Sequence, residues 1–171
     1  MIKIDNHFIE KSCKPYLIAE LSANHGGSIE TAKNTILAAK NAGANAVKLQ
    51  TYTPDTMTID FKGKQFKIDE GLWKGKYLYD LYKEAHTPFD WHKPLFDYAK
   101  KIGITIFSTP FDETAVDLLE DIATPAYKIA SFELRDIPLI KKVAKIREEM
   151  FFMLRFYIFL KSNKNYLLQY K

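Results

Sequence analysis

Twice in this 171-residue chain a helical pattern stops at a glycine, a short apolar strand follows, and a polar residue stands five positions on. GANAVK at 43–48 and GITIFS at 103–108 share this arrangement. A strand placed between two helices in this way pairs in parallel, through right-handed crossovers. Outside one segment, the rest of the first 145 residues keeps the rhythm. Residues 16–21 read as a buried strand between Pro15 and a polar loop. Ser28 is a good N-cap for a helix whose Ile29, Ala32, Ile36 and Ala39 share one face. Gly43 then supplies its left-handed stop. Thr87-Pro88 opens a second helix, with Trp91, Leu95, Tyr98 and Ile102 facing inward. Asp112 caps a third, and a fourth begins near Asp136-Ile137-Pro138. The expectation is an α/β fold, the first four β/α units of a (β/α)8 barrel.

Residues 52–86 break the pattern, being too long for a simple strand-to-helix loop. Residues 56–59 and 65–68 alternate like a small hairpin, and 76–85 resemble a short helix. This insertion after the second strand either covers a site or is decoration.

Each core strand finishes in chemistry-bearing side chains: Glu20 on the first, Lys48 and Gln50 on the second, Ser108 and Thr109 on the third, Lys128 and Ser131 on the fourth. In parallel β/α folds, sites gather at these carboxyl ends. Lys48 and Gln50 are two apart and share a strand face. A lysine there binds an anion as a point charge, serves as a Schiff-base nucleophile, or snorkels to solvent. Lys128 occupies the matching position on the fourth strand, and convergent lysines favour an anionic ligand. Glu20 closes an apolar strand, where it can handle a proton, bind sugar hydroxyls, or pair with a lysine. Thr109 and Ser131 offer hydroxyls suited to an anion, and Glu133 reaches the same cavity or stays an exposed loop residue. His7, His25, His86 and His92 show no mutual metal-ligand spacing, so no metal site is assigned.

From Lys141 onward the chain holds eight Lys or Arg and two Glu, a net of +6; residues 1–140 carry 17 basic and 19 acidic side chains, a net of −2. A near-neutral body argues against nucleic acid as a partner. Cys13 is the sole cysteine, which excludes an internal disulfide and a paired-cysteine metal site. No signal peptide is read, and the apolar stretch 150–160 is interrupted by Arg155 and falls short of the roughly 20 residues of a membrane span. The expected location is the cytoplasm, with no membrane partner. Residues 146–171 contain seven aromatics and no Gly, Pro or Ala, with no recognisable strand stop or further helix–Gly–strand unit. They read as a divergent aromatic and basic tail, foreign to residues 1–145.

Four blocks in order then stand out: IAELSANHGGS at 18–28, GANAVKLQTYTPDTMT at 43–58, FSTPFD at 107–112 and PAYKIASFE at 125–133. Together they resemble the sialic acid synthase family, which condenses phosphoenolpyruvate with an amino-sugar aldehyde. TYTPDTMT and the stretch from Leu72-Trp73 to Trp91-His92 look most like the pseudaminic acid synthase branch. The resemblance implies a (β/α)8 barrel with a C-terminal antifreeze-protein-like domain, and a domain-swapped homodimer. It implies that Lys48, Thr109, Lys128 and Ser131 hold phosphoenolpyruvate, while Glu20, Gln50 and Glu133 contact the sugar or the reacting carbons. It also implies a divalent metal, manganese, whose histidine ligands belong to later strands absent here. After Lys145 the aromatic tail replaces the family's next strand, as a frameshift or premature stop would produce. An inactive N-terminal half with open strand edges is therefore expected, since a full barrel takes about 250 residues. Two other readings stay open: a Schiff-base aldolase using Lys48 or Lys128, and a non-catalytic remnant whose tail binds a membrane or protein.

Overall fold

The computed structural model describes residues 2–10, 13–146, 150–154 and 157–161. It opens with an antiparallel hairpin, β1 (Ile2–Ile4) and β2 (His7–Ile9), turning at Asp5, whose φ of 49° is left-handed. A six-stranded sheet follows in the order β3 (Ile18–Glu20), β4 (Ala46–Thr51), β5 (Thr105–Pro110), β6 (Tyr127–Ile129), β7 (Met150–Leu154), β8 (Tyr157–Lys161). Strands β3 to β7 pair in parallel, and β8 returns antiparallel on β7. Spatial order follows chain order without the reversal of a doubly wound sheet, as in a barrel being laid down stave by stave.

The connections are α1 (Ile29–Asn41), α4 (Phe89–Ile102), α5 (Glu113–Asp121) and α6 (Ile137–Ile146), with α2 (Pro54–Met57) and α3 (Leu78–Ala85) inserted after β4. Ser28 accepts from Thr31 N, Asp112 Oδ1 from Ala115 N at 2.8 Å, and Asp136 Oδ1 from Leu139 N at 3.0 Å, so the expected caps form. The second of the large helices starts one residue later than the sequence suggests. Pro88 is its N-cap, without a side-chain bond, and the Thr87 hydroxyl is buried and unpartnered.

Alternation along the strands sorts two cores. Val47, Leu49, Ile106, Tyr127 and Ile129 face the helices, meeting Ile36, Leu95, Leu119 and Val143. Ala46, Phe107 and Ala126 face the other way and are closed off by Ile4 of the hairpin, fully buried there. Thr105 Oγ1 donates to Asp5 Oδ2 at 2.7 Å and fastens that plug. The hairpin escaped the sequence reading because three-residue strands give almost no periodicity.

The hairpin expected over 56–59 and 65–68 does not form. Thr53 caps α2 in a reciprocal box with Thr56, Pro54 sits in the first turn, and residues 64–66 make a 3-10 turn. Capping chemistry outweighs β alternation over four residues. The short helix expected nearby is α3. Strands β7 and β8 lie inside the segment 146–171 read as foreign, with Tyr127 opposite Met150 in the ladder. Ile146 closes α6, and the other residues of the segment lie outside those described.

Candidate active site

The strands carry the candidate groups to one rim. Glu20 ends β3 directly opposite Lys48 of β4, and Gln50 of β4 lies opposite Thr109 of β5. Ala46, Lys48 and Gln50 point away from the helices, as do Phe107 and Thr109; Lys128 follows Ala126 on the same side of β6. Ser131 precedes the 3-10 turn Phe132–Arg135, and Glu133 of that turn lies within electrostatic reach of Lys128. Above this face, Tyr52, Phe111 and Ala130 pack with Met57 of α2 and Tyr82 of α3. The insertion therefore roofs the carboxyl ends of β4 and β5.

Lys48 is the centre of the group. It is 5 % exposed and forms an ion pair with the Glu20 carboxylate, without hydrogen-bond alignment, while the Glu20 side chain is 44 % exposed. Burial draws the ammonium down to about 8; Glu20 opposes this, and the neighbouring Lys128 charge adds to it. Lys48 and Lys128 therefore feel one another across the mouth. Glu133 also feels Lys128. Burial raises its carboxyl above the usual range, and its Oε2 is buried with no hydrogen-bond partner. The Thr109 hydroxyl is likewise buried and unpartnered. Gln50 Oε1 accepts from Ser22 Oγ at 2.7 Å, tying the β3 loop to β4. Unsatisfied buried donors and acceptors around a pair of ammonium groups are what a polar ligand would complete.

Ser108 does not join them. It points at the helices, where its Oγ lies 2.7 Å from Thr51 Oγ1, which lies 2.8 Å from His92 Nε2. His92 Nδ1 is 3.0 Å from the Pro88 carbonyl, so Nδ1 carries the proton and Nε2 accepts from Thr51. Thr51 in turn accepts from Ser108. Burial pulls His92 down to about 4 and keeps the ring neutral. This relay went unseen in the sequence, although Thr51 and Ser108 have the strand parity that would place them together.

His25 is a structural residue. It is buried, accepts from Gly27 N through Nδ1 at 3.1 Å, and donates from Nε2 to Ala85 O at 3.3 Å, linking the first loop to the end of α3. With His86 bonded to the Lys83 carbonyl at 2.8 Å, His25, His86 and His92 are each committed to a separate contact. Among the described residues no group of three His, Cys, Asp or Glu could hold a metal ion. The donor set present does not fit the divalent metal that the resemblance implies. Among the same residues no helix is long and apolar enough to cross a membrane.

The chain is 48 % identical over 134 residues to the pseudaminic acid synthase of Helicobacter pylori, covering 78 % of this chain and 39 % of that protein. It is 48 % identical over 132 residues to the pseudaminic acid synthase of Campylobacter jejuni serotype O:2, covering 77 % and 38 %. The crystal structure of the spore coat polysaccharide biosynthesis protein SpsE from Bacillus subtilis superposes with a TM-score of 0.68 at 33 % identity, covering 88 % of this chain and 39 % of that one. The chain thus spans about two-fifths of the length of the relatives it matches, all of it in their N-terminal part. With the NeuB family model matching residues 35–153, through every strand from β4 to β6 and into β7, the chain belongs to the NeuB family.

Proposed function

We propose that this chain supplies the phosphoenolpyruvate-holding part of a pseudaminic acid synthase active site. Lys48, Thr109, Lys128 and Ser131 hold the phosphate and carboxylate, while Glu20, Gln50 and Glu133 face the sugar and the reacting carbons. The observation that carries this reading is the state of Lys48. Its ammonium is drawn down to about 8 chiefly by burial, with Glu20 opposing the shift and Lys128 adding to it, so a buried cation with a second one nearby has a single half-exposed carboxylate as counter-charge. A multiply charged anion bridging Lys48 and Lys128 repairs that deficit, and the unpartnered Thr109 hydroxyl lies ready to donate to it.

In the condensation, C3 of the enol phosphate bonds to the aldehyde carbon of the open-chain sugar, whose oxygen takes up a proton. Water adds at C2 and loses a proton, and phosphate departs with cleavage of the C2–O bond. Fixed cations stabilise the phosphate as charge develops on it. Half-exposed Glu20 is suited to accept the proton of the attacking water. A bound divalent metal would polarise the aldehyde as a Lewis acid. The described residues do not build its site, and phosphate release by this chain is expected to stay at background.

Calorimetric titration with phosphoenolpyruvate tests the reading. Binding is expected, weakened more than tenfold by Lys48→Met, which keeps the stem and removes the charge. Equal affinity of the variant would sink the assignment. The same depressed ammonium also suits a Schiff-base nucleophile. Borohydride trapping with pyruvate separates the two: a covalent adduct on Lys48 or Lys128 favours the aldolase, and its absence together with phosphoenolpyruvate binding favours the synthase.

A further inference from the structure

Among the described residues, three other than glycine hold a left-handed φ: Asp5 at 49°, Ser22 at 48° and Ala123 at 54°. Asp5 turns the hairpin and Ala123 follows the end of α5, places where such a backbone is routine. Ser22 does neither. It is the first central residue of the turn that leaves β3, closed by Asn24 N donating to Leu21 O at 3.0 Å, a place that glycine fills without steric cost. A serine there carries a conformational cost, which persists where the surroundings hold the residue in place. Its hydroxyl supplies the hold: Ser22 Oγ reaches the neighbouring strand and donates to Gln50 Oε1 at 2.7 Å.

That bond decides which end of Gln50 meets a ligand. Gln50 is half-buried, on the face of β4 that carries Lys48 and opposite Thr109 of β5. With the carbonyl oxygen taken by Ser22, the planar amide turns Nε2 away from the β3 loop, and among the described residues nothing accepts from it. The reverse orientation would offer the mouth an acceptor, and an acceptor on this side of β4 competes with an anion for the Lys48 ammonium. We propose that Ser22 is a positioning residue, its hydroxyl holding Gln50 with the NH2 group toward the mouth as a hydrogen-bond donor to an oxygen of the anion held by Lys48 and Lys128. The assignment deepens the synthase reading and rests on it. An uncharged donor in a fixed direction adds orientation where the ammonium groups act as point charges.

NMR and calorimetry on the 171-residue chain test this, with phosphoenolpyruvate as the probe. The chain holds three glutamines, Gln50, Gln65 and Gln169, so glutamine labelled with 13C and 15N gives three side-chain signals, and Gln50→Met identifies the one at the rim. Ser22→Gly keeps the turn and deletes the hydroxyl. In the ligand-free chain it is expected to move the Gln50 Cδ resonance and leave Nε2 nearly still, because the lost bond is on oxygen. Phosphoenolpyruvate is expected to shift the Gln50 NH2 protons downfield in the unaltered chain. Ser22→Gly is expected to weaken phosphoenolpyruvate about fivefold while the urea midpoint holds or rises, and to add nothing to the loss in Gln50→Met. Unchanged affinity, a loss in step with a falling urea midpoint, a loss that persists beside Gln50→Met, or a Gln50 nitrogen that moves in place of the carbonyl carbon overturns the assignment. No heat and no shift with phosphoenolpyruvate, beside a Gln50 Cδ that still responds to Ser22→Gly, overturns the synthase reading and the donor contact with it, leaving the orientation of the amide in place.

Discussion

Lys48 and His92 are both bases held below their ordinary range by burial, and they act in opposite directions with pH. Lys48 loses its charge above about 8, so its hold on an anion weakens as pH rises through that value. Phosphoenolpyruvate affinity is expected to drop about fivefold between pH 8 and 9, and Lys48→Met is expected to flatten the profile. For His92, the unfolded ring protonates near the ordinary 6.5 of an imidazole while the folded ring resists until about 4. Stability is therefore complete above 6.5 and is lost as pH falls towards 4, by up to about 3 kcal/mol. Urea midpoints measured across that window are expected to fall in the unaltered chain and to change much less in His92→Gln. At this scale the sequence was a good guide to the rim, because strand parity alone sets Lys48 beside Gln50 and Lys128 after Ala126. It was a poor guide to Ser108, which differs from Thr109 only in facing the helices. A strand buried on both sides gives no polar–apolar alternation from which to read that difference.

Elements were legible where their ends carry dedicated chemistry. Ser28, Asp112 and Asp136 cap the helices that the periodicity proposes, and Gly103 closes α4 at φ 73°, ψ 48°, a left-handed position. A Cβ at Gly103 would meet only Lys40 Nζ at 3.9 Å, so space is not the constraint and the dihedral is. Gly103→Ala is expected to cost about 1 kcal/mol in chemical denaturation, and Asp112→Ala a similar amount through the lost cap. The insertion resisted reading for the converse reason. Thr53-Pro54 starts a one-turn helix that hydrophobic alternation over 56–59 imitates as a strand, and too few residues are involved for either pattern to dominate.

Across the molecule, the N-terminal hairpin holds the apolar end of the sheet and the α2–α3 roof holds the polar end. Ile4 is the hairpin's contribution to the lower core, where Ala46, Phe107 and Ala126 would otherwise meet water. Removing residues 1–10 is expected to lower the thermal midpoint and to raise the binding of a dye that reports exposed apolar surface above that of the intact chain. The sequential parallel order was legible from the repeated helix–Gly–strand unit, and ordered blocks supplied the family. The extension of the ladder into β7 was not, because an all-apolar aromatic run carries no turn residue to mark its limits. Ser108 and Thr109 share one peptide unit yet serve opposite sides of the wall. Any ligand that tightens on the Thr109 hydroxyl thus tugs the anchor of the Thr51–His92 chain, and the imidazole resonance becomes a native gauge of occupancy, readable without a label.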